Sequence, residues 1–125
     1  MGKTSCENDS NQEKEGVILC ASSKYEEKYY LNPAFAGLPN GIKDELQAMC
    51  VLYTEDIGGI LTLEFDDTGN LEFVTTANED DILYDDIGSV LKIKQLRADR
   101  RELLESLELY FKVVFLGEPL DLSED

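Results

Sequence analysis

The hydrophobic period of the chain changes across Gly58-Gly59, and this change limits what the chain can fold into. Before the glycines, Ile42, Leu46, Met49, Cys50, Tyr53 and Ile57 recur at steps of three and four, which gathers them on one helix face. Ala48, Val51 and Leu52 widen that face, as expected of a helix sunk into a core. After the glycines the period is two. Ile60–Phe65 and Leu71–Val74 alternate, so Leu61, Leu63, Phe65, Leu71 and Phe73 share one face of a sheet. Asp66-Asp67-Thr68-Gly69-Asn70 joins the two strands as a hairpin turn, with Gly69 at the left-handed position.

Upstream, Val17-Ile18-Leu19-Cys20-Ala21 is a continuous apolar run that reads as a strand. A polar turn, Ser22–Glu27, leads to Lys28-Tyr29-Tyr30-Leu31, expected to pair antiparallel with the first strand. Asn32-Pro33 stops it, because proline has no N–H to donate. Ala34–Pro39 reads as a connection and Asn40 as the cap of the long helix, with Asp44 and Glu45 near its positive end.

Downstream, Asn78 is placed to cap a helix with Asp81 in its first turn, and Leu83, Ile87, Val90 and Leu91 continue the helical repeat toward Leu96. Residues 90–96 also alternate like a strand. Helix is preferred because no turn residue separates them from the strong helix at Asp99–Leu116, whose apolar face is Leu103, Leu104, Leu107, Phe111, Val114 and Phe115. Asp99 and Glu102 have capping-box spacing; without that cap, Asp81–Leu116 would be one long bent helix. Gly117, Glu118 and Pro119 end it. The expected fold is α+β: a mostly antiparallel sheet of about four strands, built from two hairpins, with helices packed on one face and a helical C-terminal third.

The 125 residues suffice for one domain with a real core, expected over residues 16–117. Residues 1–15 are polar apart from Met1 and Cys6, and are expected to be a disordered tail; 118–125 form a short acidic tail. Gly2-Lys3-Thr4 lacks the upstream glycine and strand of a phosphate loop, and Cys6 stands where a myristoylation site wants Ser or Thr. The three cysteines, Cys6, Cys20 and Cys50, have no close spacing, and no apolar leader precedes them, so a reducing cytoplasm is expected. No apolar run approaches the roughly 20 residues that span a bilayer. With 27 acidic and 11 basic residues the net charge is −16, which argues against nucleic acid and anionic membrane as partners.

Chemistry-bearing patterns are sparse. There is no histidine, so the usual base near neutral pH is missing, and zinc in its usual ligand sets is excluded. Cys20 and Cys50 sit on apolar stretches and read as small core residues, not nucleophiles. Asp66, Asp67, Thr68 and Asn70 lack the frame of a calcium loop and suit a turn better. Glu79, Asp80, Asp81, Asp85 and Asp86 read as an acid-rich helix N-terminus, where Asp81 and Asp85 would share a face. No catalytic residue, metal ligand or cofactor site is assigned. The unusual local feature is basic: Lys92, Lys94, Arg97, Arg100 and Arg101 hold five of the eleven basic residues within ten positions. Lys94, Arg97 and Arg101 form a helical stripe that could receive a partner's carboxylates, or be neutralised internally, for example by an Arg101–Glu105 pair.

Tyr29-Tyr30-Leu31-Asn32, Gly37-Leu38-Pro39, Ile42–Leu46, Cys50–Gly59 and Tyr110–Gly117 together resemble an uncharacterised family of short acidic proteins from clostridial gut bacteria. The resemblance covers nearly everything after residue 16 and implies no activity. The expectation is a non-catalytic cytoplasmic interaction module, either self-associating as a homodimer or binding another protein. The alternatives are an acidic inhibitor or immunity-type protein that occupies a basic target, and a ligand-binding domain or enzyme using carboxylates that the sequence does not single out.

Overall fold

The computed structural model describes residues 16–118. The expectations for residues 1–15 and for 119–125 lie outside the described residues. The elements run β1 (Val17–Ser23), β2 (Lys28–Leu31), a 3-10 turn (Pro33–Phe35), α1 (Asn40–Asp56), β3 (Ile60–Phe65), β4 (Leu71–Thr76), α2 (Asp86–Asp99) and α3 (Arg101–Val114). The strands form one antiparallel sheet in the order β2-β1-β3-β4. This is the expected α+β architecture, with two hairpins joined along β1 and β3. Residues 90–96 are helical.

The inner face of the sheet carries Leu61, Leu63, Phe65 and Leu71, all buried, beside Cys20 and Leu19. β1 and β3 slip register between Ile18 and Cys20. This bulge inserts one residue and so lets two neighbours, Leu19 and Cys20, both turn inward, which strict alternation forbids. Asn32 secures the bulge: its amide donates to the Ile18 carbonyl at 2.7 Å and its backbone N–H to Leu19 at 2.9 Å. Its side-chain oxygen also accepts from Ala34 N–H at 3.0 Å, opening the 3-10 turn. That turn carries Phe35 into the core, where its ring stacks on Phe65 and Phe115 at centroid distances of 5.7 and 4.8 Å. Phe65 in turn stacks on Phe111 at 4.3 Å. What the sequence marks as a mere connection is thus the corner of an aromatic cluster joining sheet, turn and α3. The outer face of the sheet leaves Ile18 and Tyr30 exposed.

Several helix details differ from the sequence reading. The buried stripe of α1 is Leu46, Met49, Cys50, Tyr53 and Thr54, whereas Leu52 is exposed, so the helix lies on the sheet by one face and is not engulfed. Asn40 is the first helical residue and caps nothing through its side chain; the Pro39 carbonyl instead accepts from Ile42 and Lys43. No helix starts at Asn78. Residues 77–85 form a loop, and α2 begins at Asp86 behind Asp85, whose carboxylate accepts from Gly88 N–H at 2.8 Å. The chain from Asp81 to Leu116 is not one bent helix. It breaks at Arg100, with φ −113° and ψ 29°, and Asp99 forms no capping box with Glu102. Val114, expected in the core, is exposed. Gly117 ends the helix with φ +74°, and Glu118 N–H returns to the Lys112 carbonyl at 2.9 Å.

Candidate functional site

Thiols, once ionised, are the strongest nucleophiles among the side chains of this protein. β1 and α1 bring Cys20 and Cys50 together in the core with their sulfurs 3.7 Å apart, a pairing their sequence spacing did not reveal. Both are fully buried. The hydrogen bond to Cys20 and burial both push the Cys50 thiol well up, toward the inert protonated form. Tyr29 lies beside them; its hydroxyl is buried without a hydrogen-bond partner, and burial raises its pKa.

Alongside, a cleft of about 190 Å³ opens between α1 and the β1–β2 hairpin. Lys24, Lys28, Gln47 and Glu55 line it, and Ser22 and Thr54 contribute hydroxyls that hydrogen-bond to each other at 2.9 Å. Lys24 is held by Glu55 at 3.6 Å. The two hydroxyls and the Lys24–Glu55 pair are thus engaged with each other inside the cleft. Among the described residues, no group of three or more Cys, Asp or Glu is placed to hold a metal ion.

The Asp66–Asn70 segment is a turn, as its composition suggests. Asp66 Oδ1 accepts from Thr68 N–H at 2.9 Å, Thr68 Oγ1 at 2.8 Å and Asn70 N–H at 2.9 Å. Those bonds, the one from Asn70 foremost, hold its carboxyl below the usual value of 3.8. The acidic cluster is not a helix face. Asp81 sits in the loop and accepts from the Tyr25 hydroxyl at 2.5 Å, while Asp85 caps α2.

The basic stripe is divided by the break at Arg100. Arg97 lies over the Phe73 ring at 4.8 Å and donates to the Leu71 carbonyl at 3.3 Å. Glu108 takes Leu71 N–H at 2.8 Å, so the two side chains cover the start of the β4 edge. Arg100 binds Glu45 at 3.0 Å and Lys92 binds Asp56 at 3.3 Å. The expected Arg101–Glu105 pair is not among these bridges. Lys94 and Arg101 are exposed, with no ion pair among the described residues.

The surface that stands out was read from sequence as the apolar repeat of a helix starting near Asn78. Ile82 is 90% and Leu83 87% exposed, followed by Ile87 at 74%, Leu91 at 61% and Val90 at 58%. The loop that presents the first two is pinned at both ends. The Tyr25 hydroxyl accepts from Asn78 N–H at 3.0 Å while holding Asp81. At the other end Tyr53, Tyr84 and Ser89 form a hydroxyl cluster, with Ser89 Oγ 2.6 Å from Tyr53 and 3.0 Å from Tyr84. Burial raises the Tyr53 pKa, so the Tyr53 hydroxyl keeps its proton near neutral pH. Buried Ser89, with Ile93 and Leu96 packed against the core, sets the inner face of α2; the longer apolar side chains of its first turns face outward. The repeat read from sequence thus falls partly on the loop, at Leu83, and partly on exposed positions of α2, at Ile87, Val90 and Leu91.

Fold and surface together define a small α+β protein that fixes an apolar, acid-flanked segment in the open. The chain belongs to a family of unknown function, DUF6145, which it matches over residues 16–119. No curated protein and no solved structure matches it significantly. No helix among the described residues is long and apolar enough to cross a membrane.

Proposed function

We propose that this protein is a non-catalytic interaction module of the bacterial cytoplasm that binds protein through the 77–85 loop and the outward face of α2. The observation that carries the reading is the near-complete exposure of Ile82 and Leu83 on a backbone held by Tyr25, Tyr53 and Tyr84. Contiguous apolar surface of this kind costs solubility unless something covers it. A pinned loop also loses little conformational freedom on binding, which favours affinity. Buried, unlinked thiols suit a reducing compartment, and the acidic surface suits a protein partner better than nucleic acid or an anionic membrane. Origin in gut clostridia, suggested by the resemblance, fits the same setting.

A second reading, an acidic inhibitor that occupies a basic target, is favoured by one feature: Asp80, Asp85 and Asp86 are exposed around the apolar residues. The experiment is a double variant, Leu83→Asp with Leu91→Asp, compared with the parent in melting and in co-purification from cells of origin. The variant is expected to keep its stability within about 0.5 kcal/mol per exposed site. It should lose the proteins that co-purify with the parent. An unchanged set of companions, or a melting loss of the size seen for core lesions, would refute the reading.

A further inference from the structure

We infer that the occupant of this surface is a second copy of the same chain, with α2 packed antiparallel on its counterpart about a two-fold axis near Leu91. The inference rests on the interaction reading above and specifies its partner. Its basis is the order of chemistry along the exposed part of the helix. At about 100° per residue, Ile87, Leu91, Lys94 and Ala98 fall within an arc of roughly 60°, opposite Ser89, Ile93 and Leu96, which face the core. Read from the N-terminus, that line is apolar at Ile87 and Leu91, then basic at Lys94, and exposed Asp86 flanks its start, about 100° around the helix from Ile87. A helix so arranged is complementary to itself when reversed, because each end meets the opposite sign.

The spacing agrees. About an axis at Leu91, Lys94 falls opposite Gly88 of the other copy. The Asp86 backbone is then about 3 Å further along the helix at a rise of roughly 1.5 Å per residue, within reach of a lysine side chain. Gly88 has no side chain to obstruct the approach. Arg97 would be the other cation here, but it is committed to Phe73 and the Leu71 carbonyl, so Lys94 supplies the charge. A foreign basic partner would answer the acids and leave Lys94 facing like charge; a second copy answers both in one contact, made twice. The net charge of −16 on each copy opposes association, so the apolar centre must supply the attraction and Lys94 the orientation.

The test uses two charge reversals, Lys94→Glu and Asp86→Lys, and measures dimerisation by sedimentation in about 0.15 M salt, where only charges within roughly 8 Å still interact strongly. Neither residue is buried, and Asp85, which caps the helix, is left intact. The parent should dimerise, and each variant alone should dimerise about tenfold or more weakly, since both contacts become repulsive. Mixed one to one, the variants should recover the parent's affinity as a heterodimer, because both contacts again pair opposite charges. A simple loss of helix stability in either variant cannot be repaired by mixing. A parent that stays monomeric at about 100 μM, or variants that stay weak when mixed, overturns the inference. If the parent is monomeric yet the Leu83/Leu91 variant still loses its co-purifying proteins, the interaction reading stands and only the self-pairing falls.

Discussion

At Gly69 two constraints meet. Its φ is +94°, a conformation costly for any residue with a Cβ. An added Cβ would also stand 2.7 Å from Lys112 Cγ and 2.9 Å from its Cε, because α3 ends against the hairpin turn. Gly69→Val is therefore expected to lower stability by about 1–3 kcal/mol, measured by urea denaturation. Asp66 in the same turn adds a pH dependence. Its folded pKa is depressed below 3.8 by the bonds from Asn70 and Thr68. A depressed carboxyl contributes stability that is present above the unfolded pKa and lost as pH falls through the folded one. The gap in melting temperature between parent and Asp66→Asn should accordingly be widest near neutrality and shrink below about pH 3.8. A gap independent of pH, or a Gly69→Val variant as stable as the parent, would show that the turn does not bear on folding as argued.

Elements whose packing is settled by near neighbours were legible in the sequence. The α1 stripe and the β3–β4 hairpin follow from period and turn chemistry, because α1 packs on β1, β2 and β3, the strands on either side of it in the chain. Elements decided by distant contacts were not. The Leu19–Cys20 bulge depends on Asn32, which follows a second strand, and the orientation of α2 depends on a hydroxyl cluster with Tyr53, thirty-six residues before Ser89. The break at Arg100 carries neither Gly nor Pro, so the sequence placed the start of the last helix near Asp99 but left one long bent helix as the alternative. Lys94, Arg97 and Arg101 were legible as a group by spacing alone, but the structure gives them different partners. Arg97→Gln should cost about 0.5–2 kcal/mol, from the lost contact over Phe73 and the orphaned Leu71 carbonyl. Lys94→Gln and Arg101→Gln should each stay within about 0.5 kcal/mol, because both are exposed. Equal losses at all three positions in urea denaturation would mean that the stripe acts as a unit after all.

Across the whole molecule the charges are unbalanced, and the bridges among the described residues do little to offset this. Sixteen net negative charges repel one another through the folded state more than through an expanded chain, which lowers stability and favours a soluble monomer. Against this stand Lys24–Glu55, Lys92–Asp56 and Arg100–Glu45, each with at least one well-exposed side chain. Exposed pairs contribute roughly 0–1 kcal/mol each and are themselves weakened by salt. The long-range repulsion is the larger electrostatic effect, and salt removes it once the Debye length falls below the spacing of surface charges, from about 30 Å at 0.01 M to about 8 Å at 0.15 M. Raising sodium chloride from about 0.01 to 0.5 M at neutral pH should therefore raise the melting temperature, with most of the gain complete by about 0.15 M. If two copies pair at Leu91 as proposed, the same screening should strengthen that association, because it lifts the repulsion between two acidic copies while an apolar contact is not screened. A melting temperature that falls with salt would mean that the three bridges outweigh the net charge, contrary to their exposure.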